Sequence, residues 1–213
     1  MPENYIGIMC GTSLDSLDFS LCSFEKNNKV KLFKSFQLTQ SLKDTINNCK
    51  KRPSNQDLFS YADHQVTDFI IKSLDKFITL SKSKKIEAIG FPGITVIHKP
   101  EKRISKTLGN PQAIADHTGI KVIADFRLTD MKNGGQGAPL TPYFHYYISA
   151  YTKKFINFIN LGGFANLTFM ADNKLMAFDT GPANYLIDIV SKNYFDVDFD
   201  KNGRLAQRGK INN

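Results

Sequence analysis

The apolar positions of this chain change period along its length, and the changes divide it into a β-rich opening and an alternating remainder. Tyr5 to Cys10 reads as a buried strand, and Asp18 to Phe24 and Val30 to Phe36 read as two more, parted by the polar turn Lys26-Asn27-Asn28-Lys29. This predicts a meander with a glycine turn, Gly11 to Asp15, in its first hairpin. Ser41 to Cys49 is a short helix that Pro53 ends. From Asn55 to Leu80 the apolar residues Leu58, Ala62, Val66, Phe69, Ile70, Leu74, Phe77 and Ile78 recur at three- and four-residue steps, the helical period.

Beyond that helix, short strands and helices alternate. Ile86 to Gly90 is predicted as a strand, Gln112 to His117 as a helix closed by Gly119, Lys121 to Asp125 as a strand, and Tyr143 to Ala150 as a helix. A second run of strands follows over Phe155 to Leu161, Asn166 to Met170 and Leu175 to Phe178, and Asn184 to Tyr194 is a helix. A meander followed by alternation predicts an α/β fold with a mixed sheet. No internal repeat is visible. The polar, basic stretch from Asp198 to Asn213 reads as the start of a further element.

Glycine and acid residues gather at the ends of these strands. The clusters are Gly11-Thr12-Ser13-Leu14-Asp15; Asp125-Phe126-Arg127 leading to Gly134-Gly135-Gln136-Gly137; Asn160 to Asn166 around Gly162-Gly163; and Asp179-Thr180-Gly181-Pro182. Glycine-rich turns let backbone N–H groups approach a phosphate, and carboxylates beside them can accept a proton or hold a cation. Distant segments of this kind point to a phosphotransfer site. Each cluster also has a plainer use. The turns at Gly11 and Gly162 match neither a Walker loop nor a Rossmann pattern and would serve as hairpin turns. Arg127 between Asp125 and Asp130 could be an ion-pair staple, and Asp179 could cap a helix.

The net charge of +8 raises nucleic-acid binding as a third reading, but the lysines are scattered and read as solvated surface. Three cysteines, Cys10, Cys22 and Cys49, lack metal-type spacing and read as reduced structural thiols. No apolar run approaches the ~20 residues that span a bilayer. The N-terminus enters a strand without a secretory pattern. The expectation is a cytoplasmic protein with neither membrane nor nucleic-acid partners.

Taken together, Ile6 to Asp15, Val122 to Leu140 around Gly-Gly-Gln-Gly-Ala-Pro-Leu, Asn160 to Thr168 and Phe178 to Asn184 resemble the anhydro-N-acetylmuramic acid kinase family, within the actin, sugar-kinase and Hsp70 fold group. Weaker similarity joins these stretches along nearly the whole chain. The resemblance implies an actin-like (ribonuclease H-like) lobe with a mixed sheet over residues 1–150 and the first strands of a second, incomplete lobe over 151–213. It implies a kinase that uses ATP and Mg²⁺ to turn 1,6-anhydro-N-acetylmuramic acid and water into N-acetylmuramic acid 6-phosphate, a step of cell-wall recycling. Carried onto this sequence, Asp179 is the base that activates water. Gly11, Thr12, Ser13, Leu14, Asp15, Ser16, Leu17 and Asp18 form the first phosphate turn, and Asn160, Gly162 and Gly163 the second. Arg127 and Asp130 border the sugar; metal ligands are not assigned.

The chain departs from the family at several points. The family's His-Gly-Gln-Thr is Pro92-Gly93-Ile94-Thr95 here, which removes two polar side chains on the sugar side. A Thr-Leu-Gln-Ile-Gly segment is shortened to Thr107-Leu108-Gly109, and Cys10, Ser16 and Ala183 replace Ser, Gly and Gly. Family members continue into a second lobe that holds adenosine. The alternative expectation is therefore a non-catalytic remnant or pseudokinase, with a second copy or a separately encoded C-terminal lobe as the partner that would complete it.

Overall fold

A computed structural model describes residues 3–11, 13–24, 28–83, 85–152, 156–171 and 174–210, with Ala171 described by its backbone alone. The chain forms two compact units, Met1–Ala138 and Pro139–Asn213.

The first unit is built on a five-stranded mixed sheet. Strands β1 (Asn4–Cys10), β2 (Ser16–Ser23) and β3 (Lys29–Gln37) form an antiparallel meander. β4 (Ala88–Gly90) and β7 (Val122–Ile123) continue the sheet in parallel, in the order β3-β2-β1-β4-β7. Alternation puts Ile6 and Ile8 of β1 and Leu17, Phe19 and Leu21 of β2 on one face, all nearly inaccessible to solvent. Against that face lie the apolar sides of α1 (Gln40–Lys51) and α2 (Gln56–Ser81) and the single buried residue Ile114 of α3 (Pro111–Thr118). Thr39, Asn55 and Asn110 cap the three helices, each side chain accepting a backbone N–H three residues on. The Phe19 ring meets Phe36 edge-on and lies tilted 5.5 Å from Phe77, which ties sheet to helix.

A hairpin, β5 (Ile94–Lys99) and β6 (Ile104–Leu108), lies between β4 and α3 and was not among the expected elements. Pro92, Gly93 and Pro100 and its many polar residues mask the alternation. The shortened segment that ends it is clamped by α2: Gly109 donates its N–H to Asp63 Oδ1 at 2.7 Å, and Asn110 donates to Thr67 Oγ1 at 2.9 Å. A Cβ on Gly109, where φ is +98°, would lie 2.5 Å from the Phe91 ring, so glycine is required. A second unexpected element, α4 (Phe126–Lys132), occupies the ground assigned to a strand mouth. It follows Asp125, which adopts a left-handed conformation with φ 57°.

In the second unit, β8 (Phe158–Leu161), β9 (Phe164–Ala171) and β10 (Lys174–Pro182) form another antiparallel meander. Phe155, expected to start the first of these strands, lies outside the described residues. Two helices accompany the sheet, α5 (Thr141–Thr152) and α6 (Asn184–Phe195), followed by two short 3₁₀ turns. The α/β class with a mixed sheet is as expected. Each unit contains a three-stranded antiparallel meander, a likeness invisible in the sequence because the two share architecture without sharing side chains.

Candidate functional site

The turn between β1 and β2 is anchored from below. Leu14 takes a left-handed conformation, φ 59°, and donates its N–H to the Gly11 carbonyl at 3.1 Å, while its side chain is 2% exposed in the core. A non-glycine residue enters that region at a cost of about 1–2 kcal/mol, and burial of the leucine offsets it. Ser13 and Asp15 remain exposed on the outer side; Thr12 lies outside the described residues. Lys43 reaches Asp15 at 3.5 Å, Ser16 Oγ donates to Asp18 Oδ1 at 2.9 Å, and Leu17 is buried in the core. Burial pushes the Cys10 thiol up to about 11, so it stays protonated and is no nucleophile. All three cysteines are free thiols.

Arg127 and Asp130, both on α4, hold the glycine loop that follows. Arg127 Nη1 donates to the Gly137 carbonyl at 2.8 Å, and Asp130 Oδ2 accepts the Gly137 N–H at 2.7 Å. No ion pair joins Arg127 to Asp125 or Asp130 among the described residues, so the staple reading gives way to a loop clamp. A Cβ on Gly135 would fall 2.0 Å from Asp130 Oδ2, so any side chain there would push that carboxylate off the Gly137 N–H. His98 of β5 packs against Gly137, and its Nδ1 is shielded without a hydrogen-bond partner.

The second glycine turn is held by the helix that follows it in sequence. The N–H groups of Ala183 and Tyr185 donate to the Gly163 carbonyl at 2.9 and 3.1 Å, and that of Asn184 donates to the Gly162 carbonyl at 3.0 Å. The Asn184 side chain adds a bond to the Leu161 carbonyl at 2.8 Å. These contacts consume carbonyls and leave the turn's own N–H groups out of the clamp. Neither Gly162 nor Gly163 has a left-handed φ, and an added Cβ would meet nothing closer than 3.4 Å. Backbone conformation therefore does not demand glycine here, and the backbone of the pair is open to approach.

Cross-strand register brings the polar residues of this unit together. Asn160 of β8 faces Asn166 of β9, which faces Asp179 of β10, so the three form one row. The neighbouring row on the same face is Phe158, Thr168 and Ala177. β10 does not stop at Phe178 as expected; it bulges between Asp179 and Gly181 and runs to Pro182. Asp179 is thus a strand residue beside a bulge, and Ala183 takes the cap position of α6, which excludes the helix-cap reading.

The first row, with Thr168 and Ala177 of the second, lines a cavity of about 300 Å³ together with Pro139, Thr141, Pro142 and His145. His145, from α5, stacks flat on Phe158, ring centroids 4.1 Å apart and 4° from parallel. Burial holds its pKa below the usual imidazole value. His145, Asn166 and Thr168 were missed in the sequence. A lone histidine in a predicted helix carries no signal, although two-residue periodicity from Asn160 and Asn166 could have placed both asparagines on one face. Among the described residues no three His, Cys, Asp or Glu side chains gather as a metal site, and no helix is long and apolar enough to cross a membrane.

The sequence matches the family model for anhydro-N-acetylmuramic acid kinase over residues 3–213. It is 37% identical over 213 residues to the anhydro-N-acetylmuramic acid kinase of Hydrogenovibrio crunogenus, an alignment covering 98% of this chain and 58% of that protein. It is 37% identical to the kinase of the same name from a Sulfurovum species, over 98% of this chain and 59% of the relative, and 37% identical to that of Shewanella oneidensis, over 97% and 58%. The chain thus spans somewhat under three-fifths of the length of these curated relatives. With a family match along almost its full length and an α/β architecture on a mixed sheet, this chain belongs to the anhydro-N-acetylmuramic acid kinase family, of the actin-like ATPase fold group.

Proposed function

We propose that this chain carries the sugar and phosphate side of an ATP-dependent kinase that converts 1,6-anhydro-N-acetylmuramic acid and water to N-acetylmuramic acid 6-phosphate in the cytoplasm, as part of peptidoglycan recycling. The observation that carries the reading is the row Asn160, Asn166 and Asp179 on the wall of a cavity of about 300 Å³. That volume suits a monosaccharide, and its polar groups converge on one side. The Asp179 carboxylate takes a proton from water as the water oxygen bonds to C1 of the sugar. The C1–O6 bond breaks, and O6 receives the γ-phosphoryl group of ATP, leaving ADP. Asn160 and Asn166 orient the sugar and the water. Arg127 and Asp130 act through the loop they clamp.

The donor set fits the phosphates of ATP. The Gly162–Gly163 backbone is approachable, and the Gly11 turn, including Ser13 through Asp18, exposes Ser13 and Asp15 beside Lys43. Mg²⁺ characteristically takes one or two carboxylates together with substrate phosphates, and the exposed Asp15 carboxylate at the Gly11 turn is of that kind. When bound, it would neutralise charge developing on the phosphates. In this reading the first unit is the N-terminal lobe and the second the opening of another. The apolar side chains that α6 exposes support a covering surface, either a second copy or a C-terminal lobe.

A second reading, a non-catalytic member, is favoured by one observation. Ile94, where the family has a glutamine, is 3% exposed and belongs to the hydrophobic core, so this segment turns no amide toward a ligand. The deciding experiment incubates the full-length gene product with Mg-ATP and the anhydro sugar and measures the phosphorylated product by mass spectrometry. Asp179→Asn should lower turnover by about 10²–10⁴-fold, the range for loss of a general base. Undiminished turnover in that variant removes Asp179 from the mechanism. Absence of product from the folded wild type favours the non-catalytic reading.

A further inference from the structure

His145 lines the Asp179 cavity but is used by none of the roles above. Its ring is fixed by the flat stack on Phe158, and its Nδ1 is shielded from solvent with no hydrogen-bond partner. That pattern decides where the proton sits. An N–H at Nδ1 would be a buried donor without an acceptor, whereas a lone pair there forfeits less, so the neutral ring carries its proton on Nε2. The imidazolium, which needs N–H groups at both positions, is disfavoured for the same reason. Asp179 is the other titratable residue of the cavity lining, and no ion pair or hydrogen bond joins it to His145 among the described residues. Both groups line one small cavity, so a ligand held there meets each of them.

We infer that His145 is a positioning residue of the proposed sugar site: a neutral Nε2–H donor that holds a ligand oxygen toward Asp179 and takes no part in the proton transfer. The inference rests on the sugar-kinase reading and adds a residue and a division of labour to it. Asp179 accepts the proton, and His145 donates a hydrogen bond without exchanging charge. Burial lowers the affinity of the ring for a second proton despite the carboxylate on the same cavity, in keeping with that division.

The test uses the ¹⁵N-labelled full-length gene product and 1,6-anhydro-N-acetylmuramic acid as probe. Long-range ¹H–¹⁵N spectra of His145 should show the Nε2–H tautomer at pH 7, with Nε2 shifting as the sugar is added. His145→Phe keeps the stack and removes the donor. It should weaken sugar binding about 5- to 100-fold, as the loss of one buried hydrogen bond does. His145→Gln, which can place an amide N–H near the Nε2 position, should recover most of that loss. Asp179→Asn should lower turnover by about 10²–10⁴-fold while weakening sugar binding far less than His145→Phe does. An Nδ1–H tautomer or an imidazolium at pH 7 overturns the inference, as does a His145→Phe variant that binds as wild type does. Those results leave the kinase reading intact. Failure of the folded wild type to bind the sugar at all removes that reading, and the role of His145 falls with it.

Discussion

The two units are each built on a three-stranded antiparallel meander and hold their glycine turns by opposite means. In the first, the turn is pinned by a hydrophobic side chain: Leu14 is pulled into the core and drags its backbone into the left-handed region. In the second, the turn hangs from hydrogen bonds donated by the first residues of α6. The difference follows from how much core each unit has. One face of the first sheet is closed by helices over twenty buried apolar residues that form a single cluster. The second unit leaves Leu186 at 55%, Ile187 at 51% and Tyr194 at 78% exposure along α6. Where apolar burial is plentiful it can bend a backbone; where it is scarce, polar contacts do the holding.

The largest effect is expected from removing the pin. Leu14→Ala should lower stability by about 2–4 kcal/mol in urea unfolding, the range for emptying a buried leucine site. Leu14→Gly should be the milder of the two by about 1 kcal/mol, because glycine relieves the left-handed strain that alanine retains. The reverse order would mean that the turn relaxes out of that conformation. Removal of the hydrogen-bond anchor should matter less. Asn184→Ala should cost about 1 kcal/mol and speed amide exchange in the Gly162–Gly163 turn while leaving the Gly11 turn unchanged. Equal acceleration in both turns would erase the distinction between the units. The smallest effect is expected at the open helix face. Leu186→Lys in the isolated chain should change stability by no more than about 0.5 kcal/mol, as at an uncovered surface. A loss of 2 kcal/mol or more, on the scale of a fully buried leucine, would show that the face is covered in solution by a second copy or another chain.

Much of the fold was legible because it follows from local periodicity. The long helix α2 starts at Gln56 and ends at Ser81, within a residue or so of the expected Asn55 to Leu80, since apolar steps of three and four residues leave little alternative. The meanders and α3, with Gly119 after its end, were equally readable. The β5–β6 hairpin was not, because prolines, a glycine and lysines interrupt its alternation. Helix α4 was hidden by its seven-residue length and by Asp125, whose left-handed turn into the helix no capping pattern announces. At the site, Asp179, Asn160 and the glycine pair were picked out by residue type. His145 carried no such mark.

The sequence by itself determined most of the elements, the family and the acid residue at the centre of the proposed chemistry, because residue type and spacing act over a few neighbours. Only the tertiary structure decided that Asn160, Asn166 and Asp179 stand in one row, since register depends on pairing across strands and on a bulge after Asp179. It likewise decided that Ile94 serves the core and that Arg127 and Asp130 clamp a loop. The stack of His145 on Phe158 joins residues thirteen positions apart in sequence, on different elements. Such contacts depend on how helix and sheet pack, and packing is set by the summed fit of many side chains that no short window of sequence contains.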